Sequence, residues 1–269
     1  MAFDTEYNLI KKEILQEIEI EKKEKNKILQ EIIELTTYKK GCITKEVFNL
    51  PMPSSDEILN NRDIDLRVYG SLMLDSKWGG KFLNSDDRYF YSKDFKEASK
   101  EVCERLGISE SKLKRDITKL KKANLGNDLR LIQMCKNFNG DVIYKLNYGS
   151  YINNKFEKFV TISNIALRIL INATNDRVLR IYLYLLYKCR NGEVIITQEE
   201  ICNKIGLSYK SRKVVSDCVN ALEKLGFINI IIEYKSIILT NEKGLEYEQI
   251  IPQYFYSLSD KYLNNKVKY

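Results

Sequence analysis

The sequence predicts a mainly α fold with small β-hairpin additions, and three observations lead to that fold class. Two stretches of the chain recur in the same order, each recurrence contains a short helix, a glycine turn and a further helix, and a hairpin pattern follows each one. This order of elements is typical of a winged helix-turn-helix domain. The sequence therefore predicts an α+β protein with two such domains, preceded by a long N-terminal helix.

Composition narrows the function classes. The chain has 269 residues, 44% of them hydrophobic, and a net charge of +7, a mild excess that favours polyanions. No histidine occurs, which removes Ser-His-Asp and Cys-His nucleophiles and imidazole metal ligands. A phosphate-binding glycine loop is also absent from the sequence. We therefore expect a protein that is not an enzyme and that needs no cofactor and no metal.

The lack of a targeting signal and the spacing of the cysteines favour a cytoplasmic protein. The N-terminus lacks a basic segment followed by an apolar one, and no apolar run is long enough to cross a bilayer, so we expect no membrane partner. The six cysteines include no C-x-x-C pair, which favours reduced thiols. Cys103 and Cys202 occupy equivalent places in the two copies, and buried core positions explain them better than redox sensing.

The chain before the repeats is predicted to hold a helix and a linker. Residues 6–35 contain no Gly or Pro and show heptad spacing with a polar interruption, so residues 1–38 are predicted to be a helix and a candidate coiled coil. Six lysines against eight glutamates make that helix negative. It either forms a homodimer or docks on its own domain. Residues 39–62 contain two of the three prolines and are predicted to be a linker.

The repeat defines two further domains, residues 63–150 and 151–245, and leaves an aromatic tail at 246–269. Leu66–Leu72 matches Leu179–Leu185, and Val102–Ser109 matches Ile201–Ser208, with spacings that differ by 14 residues. The pattern apolar-Cys-x-x-apolar-Gly-apolar-Ser suits a helix-turn-helix, because Gly permits the turn and Ser caps the next helix.

The second copy predicts a helix capped by Asn175 or Asp176, a short helix opened by a capping box at Thr197, and a third helix from Ser208 to about Leu225. Its wing is predicted as a strand through Glu233, a turn at residues 234–236 and a return strand at 237–240.

The first copy predicts a short aromatic strand at residues 90–92 and then a helix near 93–105. A helix from Glu110 to about Ala123 comes next, followed by strands at 129–135 and 142–146. The turn at residues 137–140 contains Asn-Gly, a strong hairpin signal.

Candidate DNA contacts lie on the two helices that follow the turns and on the wings. In the first unit a groove-inserted helix would use lysines on phosphates and Arg115 on guanine. In the second, Lys210 and Arg212 are candidates for base edges and the hydroxyls for phosphates. The predicted contacts are Ser109, Ser111, Lys112, Lys114, Arg115, Lys119, Lys122, Ser208, Tyr209, Lys210, Ser211, Arg212 and Lys213, with Lys136, Asn139, Tyr234 and Lys235 on the wings.

One family shares several of these features. The segment Val47–Pro51, the stretch Val68–Ser76, the aromatic strand Tyr89–Tyr91 and the following helix-turn-helix resemble the N-terminal region of RepA-type replication initiators of plasmids from low-GC Gram-positive bacteria. The likeness covers about residues 45–125. It implies origin recognition and recruitment of host replication proteins.

The function hypothesis is a sequence-specific binder of double-stranded DNA that initiates plasmid or phage replication at origin repeats. A transcriptional or copy-number regulator is the nearest alternative, and a structural DNA-binding protein of plasmid partition or conjugation is another. A nuclease is disfavoured, although the acidic pairs Asp86-Asp87 and Glu199-Glu200 occur, because the second pair already serves as a helix-start signal.

Overall fold

The structure, a computed structural model, describes residues 49–80, 85–126, 129–137, 139–146, 159–240 and 244–259. About half of these residues are helical, and the strands form small antiparallel sheets, so the fold is α+β, as the sequence predicts. The helix predicted for residues 1–38 lies outside the described residues.

The first half of the described chain builds one four-stranded sheet beside three longer helices. Its elements are β1 (Asn49–Pro53), α1 (Asp56–Leu59), α2 (Leu66–Asp75), β2 (Lys77–Gly80), β3 (Ser85–Tyr91), α3 (Ser92–Leu106), α4 (Glu110–Lys122), β4 (Asn124–Gly126), β5 (Leu129–Arg130), β6 (Ile132–Lys136) and β7 (Val142–Leu146). The sheet order is β2-β3-β7-β6, and β4 pairs with β5.

The second half repeats this plan with a longer hairpin. Its elements are β8 (Phe159–Ser163), α5 (Asn164–Ala173), α6 (Asp176–Lys188), β9 (Val194–Ile195), α7 (Gln198–Lys204), α8 (Arg212–Lys224), β10 (Ile228–Thr240) and β11 (Glu246–Leu258), with 3-10 turns at Cys189–Asn191 and Tyr209–Ser211. The order of its three-stranded sheet is β10-β11-β9.

Both halves share one connectivity. In each half a helix (α2 or α6) precedes a strand (β3 or β9), two helices and a hairpin, and that strand pairs with the second strand of the hairpin, β3 with β7 and β9 with β11. The first half also contains β2 and the β4-β5 pair, which have no counterpart among the described residues of the second half. The matched residues play matched parts, because Tyr69 and Tyr182 are buried, and so are Val102 and Ile201. The duplication found in the sequence is therefore a duplication of backbone topology.

Local capping signals explain where several helices begin. The Asn175 side chain accepts a hydrogen bond from Val178 N at 3.1 Å, and Thr197 Oγ1 accepts one from Glu200 N at 3.1 Å. Of the two predicted candidates Asn175 and Asp176, Asn175 is the cap, and the predicted N-cap Thr197 is confirmed, while the Glu200 side chain accepts from Tyr184 rather than completing the capping box. Ser163 caps α5 in the same way, at 3.2 Å from Ala166 N, but that helix was not predicted.

Part of the predicted linker is folded. Residues 49–59 form β1 and α1, and Leu50 and Met52 are fully buried. Pro51 and Pro53 lie two residues apart, so their missing N–H groups fall on one edge of β1, and the strand still pairs with β8 along its length. The prediction of a linker over 39–62 is therefore wrong for residues 49–59, since a distant strand provides β1 with a partner.

The second hairpin also differs from the prediction. β10 continues through Tyr234, Lys235 and Ser236 to Thr240, and these three residues lie opposite Pro252, Ile251 and Ile250 of β11. Tyr-Lys-Ser lacks a residue that favours a left-handed backbone, whereas Gly244, at φ 77°, lies where the chain reverses. The predicted turn at residues 234–236 is wrong, and residues 246–258 of the predicted tail are a strand.

A buried arginine joins the two halves, which belong to one compact unit. Arg180 is 2% exposed, and its guanidinium donates to the carbonyls of Ile58, Leu59 and Ile64 at 2.9, 2.6 and 2.5 Å. It also donates to Asp176 Oδ2 at 2.5 Å. The segment that leads into α2 is therefore held on α6, which fixes the first half against the second.

Candidate nucleic-acid interface

The two helix pairs are joined by the same turn. Gly107 follows α3 at φ 61° and Gly206 follows α7 at φ 72°, conformations that glycine adopts without strain. The residue after each glycine donates its N–H five residues back, from Ile108 to the Cys103 carbonyl at 3.1 Å and from Leu207 to the Cys202 carbonyl at 2.8 Å. The two turns therefore share a left-handed glycine and an equivalent backbone hydrogen bond, and each joins one helix to the next element of its half.

A serine side chain caps the helical segment that follows each turn. Ser109 Oγ accepts from Lys112 N at 3.3 Å, and α4 begins at Glu110. Ser208 Oγ accepts from Lys210 N at 3.4 Å, but it opens a 3-10 turn, and α8 begins only at Arg212. The second helix is thus shorter than predicted, and Tyr209–Ser211 form a tighter turn before it.

One face of α4 is exposed and carries four of the six cations of the helix. Leu113, Ile117 and Leu120 pack into the core. Apart from Glu110 in the first turn, the exposed residues recur at helical spacing and form a single stripe, the α4 stripe, made of Ser111, Lys114, Arg115, Thr118, Lys119 and Lys122. In the described part of the chain, the four cations of this stripe have no carboxylate partner. Their charge is therefore available to an outside anion.

Two further lysines of α4 are engaged. Lys112 Nζ lies 2.7 Å from Asp116 Oδ2 and 3.6 Å from Asp65 Oδ2, so its charge is balanced within the fold. Lys121 Nζ lies 4.7 Å from the centre of the Tyr144 ring. Lys112 was predicted as a DNA contact, and the structure gives it two intramolecular carboxylate partners instead.

Cations are concentrated at the start of the second helix. Tyr209, Lys210, Arg212 and Lys213 are exposed, and Ser211 is half-buried. Lys210 Nζ lies 5.9 Å from the centre of the Tyr209 ring. Further along, exposed Asp217 and Glu223 interrupt the charge. The positive charge available to a polyanion thus lies at the N-terminal end of α8 and does not extend along the helix.

The first hairpin presents polar groups at its tip. Lys136 and Asn139 are exposed, and Gly140 adopts φ 82° in the turn. Asn137 Oδ1 accepts from the backbone N–H groups of Asn139 and Asp141 at 2.9 and 2.8 Å, which fixes the loop. The predicted turn at 137–140 is confirmed at its described residues.

The second hairpin differs in charge. Lys235 is exposed but lies in the middle of β10, and Tyr234 beside it is 74% exposed. The other charged residues described in β10 and β11 are Glu233, Glu246 and Glu248. Lys235 is therefore not at a wing tip, and among the described residues of this hairpin three carboxylates stand against its one positive charge, which is unfavourable for phosphates.

The structure adds a cation that the sequence did not single out. A Cβ placed on Gly206 would lie 3.3 Å from Arg62 Cγ, so exposed Arg62 stands beside the second turn. It comes from the segment interpreted as a linker, and no local pattern signals its position. Only the docking of that segment on α6 brings it there.

Three cysteine thiols and the carboxylate of Glu200 were the other candidates for chemistry, and none of them is a free reactive group. Burial raises the pKa of the Cys202 and Cys103 thiols, and raises that of Cys189 to about 12, which disfavours reactive thiolates. Glu200 accepts a hydrogen bond from the Tyr184 hydroxyl at 2.5 Å and lies 3.5 Å from Lys188 Nζ. Over the described ranges no three Cys, Asp or Glu side chains are grouped as metal ligands.

Comparisons with known proteins add no relative. No protein-family model matches the chain, and no curated protein matches it at a significant level. In the described part of the chain, no helix combines the length and the apolar character that a bilayer crossing requires.

Proposed function

We propose that this chain binds double-stranded DNA in a sequence-specific manner through two winged helix-turn-helix units. The observation that carries the proposal is the α4 stripe, in which Lys114, Arg115, Lys119 and Lys122 lie on one exposed face of the helix that follows the turn at Gly107. A helix with free cations along one face fits the major groove, where lysines neutralise phosphates. The hairpin that follows α4 corresponds to a wing, with Lys136 and Asn139 near the flanking backbone.

The two units have different tasks in this proposal. In the first, cations run the length of α4, so its main contribution is sequence-independent attraction to phosphates, and Arg115 is its candidate for guanine. In the second, the cations cluster where α8 begins, with Arg212 and Lys210 directed to base edges and Ser208, Tyr209 and Ser211 to phosphate oxygens. Arg62 joins this second group.

The junction at Arg180 supports recognition of a site of defined length. Because its guanidinium holds the segment before α2 on α6, the two units keep a fixed spacing. Such a pair binds successive major grooves of one duplex, as a repeated origin element presents them. We therefore propose replication initiation at origin repeats, with host replication proteins as further partners. Transcriptional control and plasmid partition are the competing roles.

Selection from a random pool of duplexes tests the proposal. The full chain is expected to enrich one motif that extends over two adjacent major grooves, and footprinting on the plasmid or phage that carries the gene should show that motif repeated. A single copy over a promoter would indicate a regulator instead. No enrichment of any duplex sequence, with a pool of single strands as control, would contradict sequence-specific DNA binding.

A further inference from the structure

Among the described residues, no strand pairs with the outer edge of β10. In the described part of the chain β10 pairs only with β11, whereas β11 pairs with both β10 and β9. Ile230 N donates to Glu223 Oε1 at 3.3 Å rather than to β11, so the even-numbered residues of β10 direct their backbone groups away from β11. Ile232, Tyr234 and Ser236 thus present N–H and C=O groups at a free edge.

The same segment exposes apolar side chains on both faces, and the face of Ile231 also carries Glu233 and Lys235. Ile231 and Ile232 are 51% and 48% exposed, and Tyr234 and Ile238 are 74% and 70% exposed. A two-stranded ribbon is only marginally stable by itself, and folded proteins usually protect a long apolar edge with charges, prolines or a cover. The β10 edge is therefore suited to receive another strand.

The chemistry of the edge favours a protein strand over a nucleic acid. The described residues of β10 and β11 carry Glu233, Glu246 and Glu248 against Lys235. Glu233 lies opposite Gln253 of β11, and Lys235 lies opposite Ile251, so neither charge has an opposite charge facing it on its own hairpin. A partner strand is expected to supply one to each of them.

We propose that the occupant of this edge is β10 of a second copy of the chain, in an antiparallel pairing whose two-fold axis passes beside Tyr234. In this register Glu233 of each copy faces Lys235 of the other, and Ile232 of each faces Ser236 of the other. Tyr234 then pairs with its own equivalent. The result is one intermolecular sheet in the order β11-β10-β10-β11.

The alternative register is less favourable. A two-fold axis at Ser236 would place Lys235 opposite Ile237 and Glu233 opposite Leu239, so both charges would face aliphatic side chains. At the other end of the edge, Glu223 occupies the N–H of Ile230, so pairing from Ile232 through Ser236 uses the free part of the strand. Charge and hydrogen bonding agree on the axis at Tyr234.

Charge reversal in the full chain tests the register by sedimentation equilibrium without DNA. The wild type is expected to be a dimer, and E233K or K235E alone should raise the dimer Kd by about tenfold, because two favourable cross-strand pairs become repulsive. The double variant E233K/K235E should restore it, since both pairs are opposite again. A double variant no tighter than either single one would overturn the register and the proposal.

A proline variant tests the use of the edge. Ser236→Pro removes an N–H that points outward, not one bonded to β11, and Ser236→Ala removes only the hydroxyl that donates to Glu248. We expect the proline variant to be monomeric and the alanine variant to remain dimeric, and both to give the circular dichroism spectrum of the wild type. A monomeric wild type would overturn the proposal. It would also be overturned if the Ser236→Pro variant remained a dimer and deletion of residues 1–38 abolished that dimer. These masses are measured without DNA, so they are independent of the proposed DNA binding.

Discussion

Arg180 Nε donates to Asp176 Oδ2 one helical turn earlier in α6, and the two side chains together organise the contact between the halves. The arginine bonds three carbonyls of the segment before α2, while Asp176 Oδ1 accepts from Leu66 N at 2.7 Å, at the first residue of that helix. One ion pair thus serves both the backbone that enters the first unit and the first turn of α6 in the second.

Replacing Arg180 by leucine should lower the free energy of unfolding by about 3 to 5 kcal/mol, because the half-buried Asp176 Oδ2 and three backbone carbonyls would lose the donor that they share. Urea denaturation followed by circular dichroism measures the effect. Arg190→Leu is the matched control, since Arg190 is exposed and lies against the Tyr187 ring. Equal stability of the two variants would show that the Arg180 bonds do not join the halves.

The two turn glycines should respond differently to alanine. At Gly107 a Cβ meets nothing within 4 Å, so Gly107→Ala should cost only the left-handed backbone penalty of about 1 to 2 kcal/mol. At Gly206 the Cβ would lie 2.5 Å from the Asn60 carbonyl oxygen, so Gly206→Ala should cost clearly more. Thermal unfolding of both variants checks this order. A smaller loss at Gly206 would mean that the segment around Asn60 does not pack on the second turn.

Asp65 should contribute stability that depends on pH. Burial raises its pKa, but hydrogen bonds and charge from Arg67, with Lys112 nearby, outweigh this and hold it below its ordinary value of 3.8. An acid with a lowered folded-state pKa stabilises the fold above pH 3.8 and loses that contribution as the pH falls through the folded value.

Asp65→Asn keeps an oxygen to cap α2 at Arg67 N but removes the charge. The variant should therefore lose less free energy of unfolding than the wild type when the pH is lowered from neutrality to below 3.8. Parallel acid dependence of the two proteins would refute the assigned role of Asp65.

Local signals in the sequence were sufficient for much of the helical part. Asn175 and Thr197 cap helices where their side chains suggested, and Asn-Gly marks the first hairpin turn, because these effects act within a few residues. The repeat of Gly107 and Gly206 in equivalent patterns indicated two equivalent turns, and the backbone bears this out. The stripe on α4 follows from helical spacing alone.

Long-range pairing was beyond such reasoning. β1 is a strand because β8 lies beside it, over a hundred residues later, and two prolines concealed it. Arg180 resembles any polar residue on a helix until the segment before α2 covers it. The second hairpin was cut short because Tyr-Lys-Ser is polar enough to look like a turn, although neither Gly nor Asn occurs there. Lys112 was assigned to DNA although its closer partner, Asp116, lies one turn later on the same helix, and only its second partner, Asp65, comes from a distant element.

Base reading by the second unit should be separable from phosphate contact by the first. Arg212→Ala is expected to weaken binding to the selected site by about 1 to 3 kcal/mol while leaving binding to unrelated duplexes almost unchanged. Competition between the selected duplex and a scrambled one, followed by fluorescence anisotropy, measures the ratio. A uniform loss on both duplexes would assign Arg212 to phosphates rather than bases.

The salt dependence of duplex binding tests the central claim most directly. Lys119 lies on the α4 stripe and Lys121 lies on the Tyr144 ring, so Lys119→Ala and Lys121→Ala remove the same charge from the same helix at different faces. Anisotropy titrations over a range of salt concentrations should show steep salt dependence for the wild type, a slope lower by about one for Lys119→Ala, and an unchanged slope for Lys121→Ala. Binding that ignores salt, or equal slopes for all three proteins, would contradict DNA recognition through α4.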